Sequence, residues 1–294
     1  MQIRVGCEIR YEVTWPTPTI IQVQPRADVA HHVLQETWEI SPHVTLHAYR
    51  DIYKNVCQRL VMPVGEQVLR YDAFVEDSGG PDEVDPGAVQ MPIEALPDDV
   101  LHYTLPSRYC VSDVLSDTAW QLFGAIDGGW VRVQAICDWV HSNIRFQYGT
   151  STPQTTAADV FERRIGVCRD FAHLAVTFCR ALNIPARYVF GYLPDIGVPP
   201  PYEPMDFCAW MEVYLADRWW TFDPRNNMAR IGRVLIGRGR DALDVAMVTT
   251  YGSPRLQSMT VWADEVPAES VARAPSIIVK TGEEPAGRED DIQA

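Results

Sequence analysis

No histidine occurs after His173 in this chain of 294 residues, so its C-terminal part offers no imidazole for proton transfer. Positive charge is scarce: 25 Lys and Arg stand against 39 Asp and Glu, a formal net charge of −14. That balance argues against nucleic acid as a partner, because phosphate binding needs clustered cations. Long apolar runs are missing too. No segment approaches the roughly 20 apolar residues of a membrane span, so no membrane partner is expected. The start, Met1-Gln2-Ile3-Arg4-Val5-Gly6-Cys7-Glu8, has no basic region followed by an apolar stretch. Seven cysteines, an odd number without short regular spacing, do not make a disulfide framework and suit a reducing compartment. A cytoplasmic protein is expected. There is no internal repeat.

What is present points to a buried globular chain, 47% apolar and 22% charged, long enough for two units. Residues 1–105 read as an N-terminal β domain. Alternating segments at Ile3–Val5, Ile9–Val13, Trp38–Ile40, His43–Tyr49 and Gln67–Tyr71, with turn residues between them, suggest an antiparallel sandwich. Helical spacing then takes over. A helix is expected up to Phe123, a second over Trp130–Val140, a short one at Thr155–Phe161 and the main one from Cys168 to Leu182, ending before Asn183-Ile184-Pro185. Three strand candidates follow: Ala186–Tyr192, Ala209–Leu215 and Arg218–Phe222. The last two form a hairpin around Asp217. Segments Asp244–Thr250 and Leu256–Trp262 are expected to extend that sheet, within a core of 106–265. The polar tail, 266–294, reads as disordered.

Gly166-Val167-Cys168 puts a thiol at a helix start, where the positive dipole end and unpaired amides favour the thiolate. Cys168 is therefore a candidate nucleophile, and the amide of Cys168 or Arg169 a candidate oxyanion donor.

Three blocks in order, Gly166-Val167-Cys168-Arg169-Asp170-Phe171-Ala172-His173, Ala209-Trp210-Met211-Glu212-Val213-Tyr214 and Phe222-Asp223-Pro224, resemble the bacterial transglutaminase-like family of candidate cysteine proteases. The strand entry Asn183–Tyr192 is similar as well, and the resemblance spans about 105–252. It implies an α+β, papain-like transglutaminase core, with a nucleophile helix packed on an antiparallel sheet, and no cofactor. It also implies thiolate attack on an amide of a peptide or protein substrate, followed by transfer of the acyl group to water or an amine. Carried over by position, Cys168 is the nucleophile and Asp223 the residue that orients the base.

The base position falls on Cys208, a thiol of ordinary pKa ~8.5 where imidazole would lie near ~6.5. Two ionised thiols would repel, so one is expected to stay protonated and donate to the other. Four readings of Cys208 stay open: a specialised acyl transferase or hydrolase, a pseudoenzyme that binds a peptide or protein in the inherited cleft, a reversible Cys168–Cys208 disulfide, or a soft-metal site with Asp223. The first is preferred. His173 lies five residues along the nucleophile helix, rotated away from Cys168, and reads as structural. Gln147, Tyr148 and Trp210 are further candidates for lining the cleft. Asp170 is expected to cap the helix or pair with an arginine. Arginines 230, 233, 238 and 240 could meet a substrate carboxylate, although internal pairing is the stronger expectation. The proline-rich loop 199–204 reads as a cleft rim.

Overall fold

The computed structural model describes residues 1–26, 31–199 and 203–267. The N-terminal strands are β1 (Gln2–Val13), β2 (Thr17–Ile21), β3 (His32–Ser41), β4 (His47–Arg50), β5 (Val56–Met62) and β6 (Gly65–Glu76). Strict alternation on β1 buries Ile3, Val5, Cys7, Ile9, Tyr11 and Val13. β2 and β5 escape sequence reading because each breaks the strand signal: Pro18 interrupts β2, and β5 lacks clean alternation.

Next come α1 (Asp98–Leu101), α2 (Ser116–Phe123), α3 (Trp130–Asn143), β7 (Arg145–Phe146), α4 (Ala157–Arg163), β8 (Ile165–Gly166) and α5 (Cys168–Ala181). The chain continues through β9 (Ala186–Tyr192), β10 (Cys208–Leu215), β11 (Arg218–Phe222), β12 (Val234–Gly239), β13 (Val248–Thr250) and β14 (Arg255–Val266). Each helix expected from spacing is present within a few residues. Ala216 and Asp217 both take positive φ, 47° and 61°, and make the tight β10–β11 hairpin.

The core sheet has the order β11-β10-β9-β12. Met211, Val213 and Leu215 of β10 pack with α5 in one hydrophobic cluster, which α3 and α4 close from the helix's other side. Helix α5 is therefore buried without interruption from Asp170 to Arg180. Its apolar residues occupy every face, as an enclosed helix requires.

One expectation fails. The strands after residue 244 do not extend the core sheet: β13 pairs with β2, and β14 pairs with β1 along nearly its whole length. The two N-terminal sheets are thus β14-β1-β6-β3 and β13-β2-β5-β4, each completed by the end of the described chain. The physical reason is edge pairing. β1 pairs with β6 along one edge, and its other edge is one that a 12-residue partner can satisfy. Inward residues of both sheets share a cluster with Tyr188, Phe190, Tyr192, Val234 and Ile236 of the core sheet, so the two units have a continuous apolar interior. Of the expected tail, residues from 268 onward lie outside the described residues, as do 200–202 of the proline-rich loop.

The other face of the core sheet carries a buried charge cluster. Glu212 accepts from Arg187 Nε at 2.6 Å and from Arg238 Nε and Nη2 at 2.9 and 3.0 Å. Burial alone would push the Glu212 carboxyl up, but the two guanidinium groups hold it below its usual range. Glu212→Ala removes the carboxylate that two half-buried guanidinium groups share and is expected to cost about 3 kcal/mol in urea denaturation. A loss below ~1 kcal/mol would mean the pair is solvated.

Candidate functional site

The nucleophile turn is built around a carboxylate. Asp170 Oδ2 accepts the Val167 N–H at 2.9 Å, and Oδ1 accepts the Ser151 hydroxyl at 2.9 Å. This satisfies an N-terminal amide that α5 itself leaves unpaired. Gly166 makes the approach possible, since a methyl group there would sit 2.7 Å from Asp170 Cβ. Arg169 folds over the same carboxylate and donates through Nη2 to Ser151 Oγ at 2.6 Å and to the Thr152 carbonyl at 2.8 Å. Asp170 therefore both caps the helix and pairs with an arginine.

Cys168 opens α5 against Cys208, which opens β10. Cys168 is half-buried and Cys208 buried, and both are free thiols. The neighbouring Cys208 thiol lowers the Cys168 pKa; the Arg225 cation and the Ala209 N–H act in the same direction, while burial and Asp206 oppose. In the resting arrangement the Cys208 thiol points to the Ala209 carbonyl at 3.8 Å. The neighbouring Cys168 thiol, with burial, holds Cys208 protonated far above its ordinary range. When Cys168 is protonated, its thiol points to the Phe207 carbonyl at 3.8 Å. Asp206 accepts the Phe207 N–H at 2.7 Å, and burial raises its carboxyl pKa.

Two cavities converge on Cys168. The smaller holds Tyr148, Asp206, Cys208, Arg225 and Arg230. The larger is a groove of about 630 Å³ that runs from Cys168 between Tyr109, Tyr188 and Phe190 on one side and residues 242–249 on the other.

Comparison with known proteins agrees with this architecture. A family profile described as the transglutaminase-like superfamily matches residues 116–224. The crystal structure of a candidate cysteine protease from Cytophaga hutchinsonii is 31% identical, covers 91% of each chain and superposes with a TM-score of 0.83. The chain belongs to the transglutaminase-like superfamily. It is also 35% identical over 118 residues to an uncharacterized protein of Mycobacterium leprae, and 32% identical over 146 residues to one of Mycobacterium tuberculosis. These matches cover 39% and 45% of the chain, and they span less than half of each relative, 42% and 46%.

Within this superfamily scaffold the sequence-derived residues separate into groups. Cys168 and Cys208 meet, and Tyr148 lines both cavities beside them. Asp223 is nearby but spent elsewhere. Its Oδ1 accepts the amides of Arg225 and Asn226, and its Oδ2 accepts Asn226 Nδ2 at 2.7 Å and Arg233 Nη2 at 2.9 Å. Burial alone would raise this carboxyl, yet Arg233 and Asn226 hold it below its usual range. Asp223 faces a separate recess with Trp130 and Cys137, and among the described residues no hydrogen bond joins it to Cys208.

Trp210 is core, 2% exposed, with Arg233 over its ring. Gln147 is exposed and lines neither of these cavities, because its backbone is tied to Gly166 and Thr150 and turns it away. No three metal-ligating side chains converge among the described residues. The arginines of 230–240 are internally paired: Arg230 with Asp195, Arg233 with Asp82 and Asp223, Arg238 with Glu212, and Arg240 with Asp244.

Arg225 is the residue that sequence reasoning missed. Its guanidinium rests on the Phe146 ring at 4.1 Å and opens on the thiol pair, with no ion pair among the described residues. The available signal was its place two residues after Asp223, in an otherwise acidic chain.

His173 is buried and structural. Its Nε2 accepts the Ala242 N–H at 3.1 Å, while Nδ1 has no partner, and Tyr109 stacks on the ring at 5.1 Å. Burial, with Arg169 and Arg180 adding to it, pushes its pKa well below the usual range, and burial lowers His31 to about 4. A histidine depressed in the fold takes up its proton on unfolding below ~6.5, so stability is lost as pH falls from there toward the folded pKa. Each such group contributes a slope of up to about 1.4 kcal/mol per pH unit in that window. Urea titrations at pH 7 and 5 are expected to show the loss, and His173→Gln to reduce it. An unchanged slope in His173→Gln would overturn this assignment.

Proposed function

We propose that the protein cleaves or transfers the acyl group of an amide in a peptide or protein through a thioester on Cys168. The observation that carries this reading is the half-buried Cys168 thiol at the head of α5, at the meeting point of two cavities that Cys208 also lines. Arg225 supplies the positive charge that an imidazolium would otherwise provide. Asp206 opens on the same space with a carboxyl raised by burial, which suits it to carry protons.

In the proposed cycle the Cys168 proton passes to the Asp206 carboxylate, and the sulfur attacks the carbonyl carbon. The N-terminal amides of α5 support the oxyanion. The C–N bond then breaks as Asp206 returns its proton to the leaving amine. Water or an acceptor amine attacks the thioester, gives its proton to Asp206 and releases the Cys168 thiolate, which takes that proton back. Asp223 has no part in orienting a base here; it holds the loop that presents Arg225. The seven cysteines, all free, suit a reducing, cytoplasmic compartment. Neither nucleic acid nor a membrane enters this reading.

A second reading is favoured by one specific feature, the absence of any imidazole beside Cys168: a protein that binds a peptide in the cleft without turning it over. It predicts that Cys168→Ser retains peptide binding and that the wild type releases no amine.

The deciding experiment is iodoacetamide labelling of Cys168 as a function of pH, read by mass spectrometry alongside amine release from a peptide library. Cys208→Ala and Arg225→Gln each remove a group that favours the thiolate, so labelling at pH 7 is expected to slow by roughly tenfold. Asp206→Asn separates the two roles. Removing an opposing charge should speed labelling, while turnover falls by about a hundredfold. If Asp206→Asn leaves turnover intact, the proton-carrier assignment is wrong.

A further inference from the structure

The large groove has a chemical character that the nucleophile itself does not dictate. Its far wall is the connection from β12 into β13, where Ala242, Leu243, Val245, Ala246, Met247 and Val248 line the space and the intervening Asp244 is turned to Tyr53 and Arg240. The opposite wall is aromatic, formed by Tyr109, Tyr188 and Phe190. At about 630 Å³ the groove falls within the range that encloses small-molecule or short-peptide ligands.

Two charged residues line it, and neither is suited to recognising a polar side chain. The Nε and Nη2 of Arg169 are already committed to Ser151, Thr152 and Asp170, and its charge is met by the Asp170 carboxylate. Asp206 sits at the thiol end. Two of the hydroxyls are committed as well: Tyr109 donates to the Pro153 carbonyl, and Ser151 donates to Asp170. Those of Tyr148 and Tyr188 are set in aromatic side chains along an otherwise mainly apolar lining. An acidic side chain in the groove would meet an anion and a neutralised cation. A carboxamide would leave water for mainly apolar walls, where the tyrosine hydroxyls replace only part of its hydrogen bonding.

The wall is also held firmly. The Met247 carbonyl accepts the Gln22 N–H at 2.8 Å, Tyr53 donates to Asp244 at 2.7 Å, and β13 pairs with β2. The N-terminal β unit thus fixes one side of the cleft, so the groove is shaped before any ligand arrives.

We infer that this groove receives the acyl side of the substrate and selects a large apolar side chain, of leucine, methionine or phenylalanine type, next to the scissile carbonyl. This rests on the reading of Cys168 as nucleophile, and it deepens that reading by naming the substrate class. Burying such a side chain against aliphatic and aromatic walls contributes through removal of apolar area from water, which a glutamine or glutamate side chain cannot match.

The test uses N-acetyl-leucyl, N-acetyl-glutaminyl and N-acetyl-glutamyl chloromethyl ketones on the full chain, with Cys168 alkylation followed by mass spectrometry. Each rate is divided by that of iodoacetamide, which needs no groove. The leucyl probe is expected to react about tenfold or more faster than the other two. Leu243→Glu alters a side chain that is 60% exposed and so leaves the core undisturbed; it and Met247→Glu should each erase the preference, while Met247→Leu keeps it. Equal normalised rates for the three probes, with prompt iodoacetamide labelling, overturn the groove assignment and leave the nucleophile reading standing. A Cys168 inert to all four reagents overturns the nucleophile reading, and the inference falls with it.

Discussion

Enclosing a helix on every side makes each unpaired polar group costly, and α5 pairs the side chains of Asp170, Thr177 and Arg180, leaving His173 Nδ1 as its exception. Arg180, 2% exposed, spreads its guanidinium over the carbonyls of Leu105, Ala186 and Arg240 and the Ser107 hydroxyl. Thr177 returns its hydroxyl to the His173 carbonyl, and His173 takes the Ala242 amide. Asp170 closes the N-terminal end. The bonds of Arg180 and His173 reach segments outside the helix, so it works as a peg whose placement orients the surrounding loops. Cys168 inherits its position from that peg.

Charge is distributed under the same constraint. In an acidic chain the buried arginines find carboxylates readily, and those of the β11–β12 region and β12 itself are consumed in this way. Arg225 differs: it lies on an aromatic ring beside two thiols, without a carboxylate partner among the described residues. A cation left in that state stabilises whatever negative charge forms near it, the Cys168 sulfur included. The Cys208 substitution therefore does not strip the site of electrostatic support. On the proposed reading that support comes from a permanent charge and a neighbouring thiol, with no titrating ring.

The N-terminal β unit has a role that its own sheets do not reveal. By pairing with β13 and β14 it draws the chain back across the molecule, and the segment between β12 and β13 becomes a wall of the groove. The continuous cluster joining Ile3, Val5 and Met62 to Tyr188 and Phe190 makes this a fixed relation.

Local order was written in the amino-acid sequence. The span of α5, the β10–β11 hairpin and the Gly166-Val167-Cys168 turn follow from periodicity, a proline and turn residues, all of which act over a few neighbours. The pairing of Cys168 with Cys208 was legible too, because the motif blocks keep their order and spacing. What remained hidden depended on contacts between distant residues. Only the folded chain decided that β14 sits beside β1 rather than β12, since both offered an edge and the alternating pattern suits either. Only the folded chain turned Asp223 toward Arg233 and Asn226, set Arg225 beside the thiols and withdrew Gln147 from them. A side chain's partner is chosen by the three-dimensional competition for hydrogen bonds and charge in a desolvated interior, and linear spacing carries no record of that competition.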